Sequence, residues 1–320
     1  MMAYRRIFKK KIIFILGPTA IGKSAIAVYL ARKIEAEVIS CDSMQIYKGM
    51  NIITAKPSRV LTSKIRHHLI GLVPLGKDYD VSSFRRDVLK KVKVIISKGK
   101  IPLIVGGTGL YAAILINGIF EQKAGDNAIR DRLYELAKDK GNLYIYNQLK
   151  KKDPEAAGKI HPNDTRRIVR ALEVFRVTGK PISLLQKNRR GLKEEYDVRV
   201  FCINMPRDKL YKRIDARVER MFRQGLISEV RRLLKKPLSR TASFAIGLKE
   251  IGGYLKGDCT KEEAKGMVKT NTRRYAKRQL TWFRKDKNTV WVNIKEEERP
   301  ERIAEKIYKN IYGKSSVSHN

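Results

Sequence analysis

Cysteine is scarce: three residues in 320, at positions 41, 202 and 259. An odd and widely spaced set builds neither a disulfide framework nor a zinc site, so a reducing compartment is expected and the three read as small buried hydrophobes. Long apolar runs are missing as well. The start, MMAYRRIFKKKIIFIL, superficially resembles a signal peptide, but its apolar run Ile12–Leu16 is broken at once by Gly17 and Pro18. That is too short for a secretory core or a membrane span. There are no internal repeats or low-complexity linkers. Acidic side chains are few, 32 against 70 Lys and Arg, which leaves a formal charge of +38. Such one-sided charge calls for a polyanion: nucleic acid, an anionic membrane surface or phosphorylated substrates.

The remaining composition narrows this. With 42% hydrophobic residues the chain can build a real core, which excludes a disordered basic arm, and its length suits one large domain or two ordinary ones. Basic residues exceed acidic ones by 15 over residues 1–120 (21 against 6), by 7 over 121–200 (19 against 12) and by 16 over 201–320 (30 against 14). An excess spread this way describes a folded basic surface rather than a tail, with a share owed to Lys-rich, Ile-rich composition.

Apolar β-branched runs punctuated by glycine set the organisation. IIFIL is a buried-strand run; GPTAIGKS follows, and AIAVYLARKIEAE then places Ile26, Leu30 and Ile34 at helical spacing. Further strands are expected at Glu37–Ser40, Ile101–Val105 and Val198–Asn204, with a last one at Thr289–Ile294. Short strands separated by helical segments predict an α/β fold, a P-loop NTPase-like parallel sheet covered by helices. From about Phe120 to Lys193 the pattern is polar and helical without strands, which reads as a helical insertion. After Met205 the chain is almost wholly helical, and its end, KSSVSHN, reads as frayed.

Gly17-Pro18-Thr19-Ala20-Ile21-Gly22-Lys23-Ser24 fits GxxxxGK[ST] between a strand and a helix. Its backbone N–H groups and the helix dipole form an anion cradle, Lys23 adds a point charge, and the Ser24 hydroxyl can ligate Mg²⁺ against phosphate oxygens. A di- or triphosphate is the expected ligand. Asp42 stands at the carboxyl end of the next strand, where ligands of open α/β sheets bind. Metal ligand, general base and hydrogen-bond acceptor compete there with a plain turn-forming Asp. Gly106-Gly107-Thr108-Gly109 also follows a strand; its glycines permit close backbone approach and Thr108 offers a hydroxyl.

Lys265, Lys269, Arg273 and Lys277 lie four apart, a stripe of like charge on one helix face that phosphates along it would relieve. Arg274, Arg278, Arg284 and Lys285 widen it. Trp282 and Phe283 follow, and packing into the core is the favoured reading over stacking on a base. Arg166, Arg167 and Arg170 form a similar cluster in the insertion. His67 and His68 are adjacent and read as structural.

Together these pieces resemble the tRNA dimethylallyltransferases, also called tRNA isopentenyltransferases. The resemblance rests on GPTAIGKS (17–24), DSMQIYKGMNIITAKP (42–57), HHLI (67–70), PLIVGGTGLY (102–111), DTRRIVRALEVFRVTGKP (164–181), RVERMFRQGLISEV (217–230) and RRYAKRQLTWFRK (273–285), in that order. It implies transfer of a dimethylallyl group from dimethylallyl diphosphate to N6 of the adenosine immediately 3′ of a tRNA anticodon. It further implies Mg²⁺, a cytoplasmic monomer and no membrane attachment. Residues 1–119 and 196–320 would form the catalytic core, with 120–195 a helical tRNA-binding insertion.

By the same resemblance Lys23, Asp42, Thr108 and Arg217 are catalytic, residues 17–24 hold the diphosphate with Thr19 and Arg217 completing the clamp, and Ser24 helps hold the metal. Asp42 would take the proton of the amine, whose lone pair is delocalised into the ring. The tRNA would meet Asp42, Ser43, Met44, Gln45, Thr108, Arg130, Arg166, Arg167, Arg170, Lys249, Arg273, Lys277, Arg278 and Arg284. Two departures stand out. Leu248 replaces an aromatic residue that could contact RNA, and Asn51-Ile52-Ile53-Thr54 replaces DIGT, losing a small residue. The zinc-finger extension of many eukaryotic relatives is absent, in keeping with a bacterial-type enzyme. Two rivals remain, a P-loop kinase or NTPase acting on a small molecule and a non-catalytic RNA-binding protein. The first leaves the basic stripe idle, and the second leaves Asp42 unexplained.

Overall fold

The computed structural model describes residues 9–120 and 126–313, so the C-terminal KSSVSHN lies outside the described residues. The chain divides into two compact units, Met1–Ile116 with Glu195–Asn320 and Asn117–Glu194.

The first unit is built on six parallel strands, β1 (Lys11–Leu16), β2 (Ala36–Cys41), β3 (His67–His68), β4 (Ile101–Gly106), β5 (Asp197–Asn204) and β6 (Val290–Asn293), in the order β3-β2-β4-β1-β5-β6. The apolar runs of β1, β2 and β4 lie at the centre and are buried on both faces, as continuous hydrophobic strands require. β3 has no such run. Its two residues pair with Val38 and Ile39, and buried His68 meets the buried Glu37 carboxylate at 2.7 Å. Ile13, Ile15, Leu30, Leu103, Phe201 and Ile214 share a core with the helices Lys23–Lys33, Arg207–Arg223 and Pro300–Tyr312.

The segment from Lys209 to Leu234 forms two helices, because Gln224-Gly225 interrupts it. Gly225 takes a left-handed φ of 92°, which closes Arg207–Arg223 and opens Leu226–Leu234. The long helix Lys261–Phe283 starts in a capping box, with Thr260 accepting from Glu263 N and the Glu263 carboxylate accepting from Thr260 N. It packs against the helix Arg207–Arg223 and against Leu248–Lys256.

The second unit is helical and carries its own core of Leu133, Ile145, Leu149, Ile168, Leu172 and Leu185. At its centre the fully buried Glu173 accepts from Asp126 N at 3.0 Å, Arg130 Nη2 at 2.7 Å and Arg170 Nη1 at 3.0 Å. Buried Asp153 joins two short helices, accepting from Ala156 N and Ser183 N, each at 2.9 Å.

Sheet register positions the functional end of the first unit. Leu16 pairs with both Gly106 and Cys202, and Gly106 pairs with Cys41. The loops leaving β1, β2 and β4 therefore start side by side. The strands close in so tightly there that a Cβ on Gly106 would lie 2.0 Å from the Cys41 carbonyl oxygen. Gly106→Ala is thus expected to force β2 and β4 apart and lower stability by about 3 kcal/mol in urea unfolding. An unchanged midpoint would mean that this contact does not set the strand spacing.

Candidate active site

The loop after β1 is shaped by glycine where nothing else fits. Gly17 has φ 147°, and a Cβ on it would lie 2.7 Å from the Ile203 carbonyl; Gly22 has φ 96° and turns the chain into the helix Lys23–Lys33. The loop is thereby presented with a helix N-terminus behind it, an arrangement suited to an anion. Lys23 Nζ lies along it, donating to Gly17 O at 2.9 Å and Pro18 O at 2.7 Å. Arg217, from the helix Arg207–Arg223, reaches in from the other side and donates through Nη2 to Thr19 Oγ1 at 2.6 Å. Its Nε is buried and has no hydrogen-bond partner among the described residues. A guanidinium held so, with one N–H unanswered, is ready for an acceptor such as a phosphate oxygen.

Desolvation disfavours the charged form of both cations. Burial, then the charge of Arg217, lowers Lys23 to about 8. Burial lowers Arg217 to about 10. Both belong to one cleft of about 510 Å³, which also takes in Ser24, Asp42 and Tyr275.

Asp42 takes the turn-forming role open to it in sequence. Its Oδ1 accepts from Met44 N at 2.9 Å and Gln45 N at 3.2 Å, a turn-forming arrangement that fixes the side chain. Both bonds fall on Oδ1, so Oδ2 retains its capacity to accept a proton or donor in the cleft. Thr108 Oγ1 accepts from Ser43 N at 3.2 Å, and its hydroxyl also bonds that of Tyr275. Burial, and secondarily Asp42, pushes the Tyr275 phenol well above its usual range, so it stays a neutral hydroxyl.

Three residues of this site escape sequence reasoning. Buried Gln279 accepts from Thr19 N through Oε1 and donates to Gly107 O through Nε2, each at 2.9 Å, tying the phosphate loop to the loop after β4. Tyr275, one turn earlier, faces the same cleft. Both sit inside RRYAKRQLTWFRK, where a helical basic stripe masks their period. Buried Glu229 accepts from Ile52 N at 2.9 and 3.0 Å and from Ile53 N at 2.9 Å. It anchors the segment that departs from DIGT, and Gln45 Nε2 reaches the far end of that segment at Thr54 O, 3.3 Å away. Nothing in the spacing of Glu229, 177 residues away, announces this contact.

The glycines of Gly106-Gly107-Thr108-Gly109 admit protein rather than ligand. A Cβ on Gly107 would meet Gln279 Nε2 at 2.2 Å, and one on Gly109 would meet Trp282 at 2.8 Å. Trp282 itself corrects the core reading: it is 40% exposed, while Phe283 is buried. Leu248 is buried too, so its side chain packs inside the protein.

The stripe of like charge is also corrected, because the helix Arg207–Arg223 supplies its counter-ions. Glu219 takes Lys265 at 3.3 Å and Lys269 at 2.5 Å, and Asp215 takes Arg273 through two nitrogens. Lys277, Arg278 and Arg284 are exposed, and among the described residues none forms an ion pair, while Arg278 lies over the Tyr275 ring. Lys249 is exposed as well. In the second unit Arg166 is exposed, Arg167 pairs with Asp164 at 2.5 Å, and Arg130 and Arg170 are committed to Glu173. Neither Arg130 nor Arg217 is the solvated surface arginine that its helical position alone would suggest.

No helix among the described residues is long and apolar enough to cross a membrane, and none of their His, Cys, Asp and Glu side chains gather in a group of three that would hold a metal by itself.

A parallel sheet with this loop at the carboxyl end of β1 defines a P-loop-like α/β protein. Two family models narrow the class: IPP transferase matches residues 45–286, and isopentenyl transferase matches residues 10–71. A tRNA dimethylallyltransferase of Geobacter sulfurreducens is 47% identical over 89% of this chain and 92% of its own. One from Carboxydothermus hydrogenoformans is 46% identical over 93% and 96%. Among solved structures, the tRNA isopentenylpyrophosphate transferase of Bacillus halodurans superposes with a TM-score of 0.71 at 37% identity, covering 95% of this chain and 96% of that one. A eukaryotic dimethylallyltransferase acting on tRNA gives 0.77 at 31%, covering 89% and 74%. The chain belongs to the tRNA dimethylallyltransferase family.

Two expectations follow from the geometry. Free Lys23 is charged below about pH 8 and loses its proton above it, so an anion that needs the ammonium binds less well as pH rises, by up to about tenfold per pH unit. Calorimetric titration with a diphosphate monoester should show this, and Lys23→Met should flatten it; equal slopes for both proteins would remove Lys23 from the anion site. Gln279→Leu leaves Thr19 N and Gly107 O unpaired, and an unfolding loss of about 2 kcal/mol is expected. A fully stable variant would show that the two loops hold their places without the bridge.

Proposed function

We propose that the protein transfers a dimethylallyl group from dimethylallyl diphosphate to N6 of the adenosine 3′-adjacent to the anticodon of a tRNA. The observation that carries this reading is the meeting, in one cleft, of the unanswered Arg217 Nε beside Lys23 and the phosphate loop with the turn-fixed carboxylate of Asp42. One side suits a departing diphosphate, the other a nucleophile that must lose a proton.

In the reaction the bond between the allylic carbon and the diphosphate oxygen breaks as the bond from that carbon to N6 forms. Negative charge grows on the leaving oxygen, where the loop amides, Lys23 and Arg217 are already oriented, so little reorganisation is needed as it develops. Thr19 sets Arg217 through its hydroxyl. The proton released from N6 passes to Asp42, and Thr108 with Tyr275 orients the amine. Neutral Tyr275 can donate or accept without adding charge beside Asp42.

The donor set fits a divalent cation that arrives with its substrate. With no carboxylate cluster among the described residues, Ser24 and the diphosphate oxygens would hold Mg²⁺, which keeps several waters and favours phosphate ligands. When bound, it neutralises leaving-group charge. The base must leave its loop stack to reach Asp42. The exposed cations Lys277, Arg278 and Arg284, with Arg166 and Lys249, suit the anticodon stem-loop, and Ser43, Met44 and Gln45 border the base; Arg130, Arg167, Arg170 and Arg273 serve as supports through their ion pairs. A cytoplasmic monomer accords with this reading.

Incubation with radiolabelled dimethylallyl diphosphate and unmodified tRNA is expected to label the RNA, and Asp42→Ala to abolish labelling with tRNA binding largely retained. No label in the RNA under conditions where ATP is hydrolysed would overturn the transferase reading in favour of a P-loop NTPase. Collapse of RNA binding in Asp42→Ala would assign Asp42 to recognition.

A further inference from the structure

Lys209, Arg213 and Arg217 stand four apart on the helix Arg207–Arg223 and so share one face. Each holds a different point along one line of contacts. Lys209 Nζ pairs with the Glu296 carboxylate at 2.7 Å. Arg213 donates through Nη2 to the Glu296 carbonyl and through Nη1 to the Ile21 carbonyl of the phosphate loop at 3.5 Å. Arg217 takes the Thr19 hydroxyl of the same loop. The row therefore runs from the segment after β6 into the cleft, which Arg213 and Arg217 both line.

Ile21 is the point at which the loop most needs holding. Its neighbours Ala20 and Gly22 both take a left-handed φ, 66° and 96°. Glycine adopts that conformation freely, whereas alanine keeps it only when its surroundings impose it. The Ile21 side chain is buried in the core, and the Arg213 bond to its carbonyl fixes the backbone between the two left-handed residues. Because each peptide unit is planar, a rotated carbonyl also turns the N–H that follows it, and an anion cradle works only while its N–H groups converge.

The other end of the Arg213 contact is anchored in turn. Ile294 N donates to Asn204 O at 2.9 Å, and the Glu298 carboxylate accepts from Lys295 N at 3.2 Å and pairs with Lys306. The helix Pro300–Tyr312 that follows packs on Lys23–Lys33, the helix behind the loop. The C-terminal segment thus meets the phosphate loop through Arg213 and the loop's helix directly.

We propose that Arg213 is a positioning residue for the diphosphate site: it sets the Ile21 carbonyl, and with it the loop amides, from an anchor in the segment after β6. The role rests on the proposed function only for the identity of the anion. It makes the C-terminal segment part of the machinery that shapes the loop, although that segment touches no reacting atom.

In calorimetric titration with inorganic diphosphate and Mg²⁺, Arg213→Met is expected to bind about tenfold more weakly, and Arg213→Lys to restore most of the loss. In transfer assays Arg213→Met should raise KM for dimethylallyl diphosphate about tenfold, with kcat and KM for tRNA within about twofold. Glu296→Ala separates position from charge. Losing a carboxylate tightens an anion through charge alone, so the expected weakening of diphosphate binding by about threefold reports position. The double variant should bind no more weakly than Arg213→Met alone, because both act through one contact. Normal diphosphate binding in a folded Arg213→Met would leave the residue a purely structural role and overturn the proposal. A silent or tightening Glu296→Ala, additive losses in the double variant, or a kcat that falls as far as KM rises would make Arg213 a direct ligand of the anion, and overturn it as well. Should Arg213→Met fail to fold, the Glu296→Ala titration decides. If no prenyl transfer occurs but these diphosphate results hold, the transferase reading fails and the role of Arg213 stands.

Discussion

The site depends on how closely β4 lies against β2. Gly106 pairs with Cys41 on one side and Leu16 on the other, without room for a methyl group. That contact aligns three strand ends, so the phosphate loop, Asp42 and Thr108 leave the sheet as neighbours. Each of these loops is then tied to another. Gln279 bridges Thr19 to Gly107, Thr108 accepts from Ser43, and the Cys41 carbonyl accepts from Thr108 N. The chemistry is assembled from three loops, but its precision comes from backbone crowding in the sheet beneath them.

Electrostatics divides along the same lines. Deep in the cleft burial lowers the pKa of both Lys23 and Arg217 and the Asp42 carboxylate offsets this only in part, so an incoming anion favours the charged form of both cations. Elsewhere buried carboxylates perform structural work. Glu229 anchors backbone amides of the segment after Asp42, and Glu173 gathers two arginines at the heart of the helical unit. Excess positive charge is therefore of two kinds, cations paired within the chain and cations left for something else. The long helix contains both in succession, and the change falls near the point where its face passes from the cleft to Trp282.

Most strands were legible because β-branched apolar runs ending in glycine have few other outcomes. The phosphate loop was legible because its glycines, Lys23 and Ser24 are contiguous and each spacing has a physical requirement. Asp42 could be placed at a strand end, although its split between turn oxygen and free oxygen could not. β3 was missed, since two histidines carry no hydrophobic signature and their pairing is decided by β2 and Glu37. The pairing of the basic stripe escapes the sequence for a related reason. Helical spacing reveals which side chains share a face, while their counter-ions at Asp215 and Glu219 come from another helix.

Local order in the chain was enough to specify the class of fold, the anion loop and the carboxylate beside it, since these depend on short-range spacing and strand-forming runs. The long-range contacts were settled by tertiary packing: Arg217 against Thr19, Gln279 across two loops, Glu229 under the segment after Asp42, and Trp282 held outward by Gly109. The hydrogen-bonded pairs among them lie between 172 residues apart, for Gly107 and Gln279, and 260, for Thr19 and Gln279. No periodicity reaches that far; only the sheet register and the helices packed on it bring such side chains together.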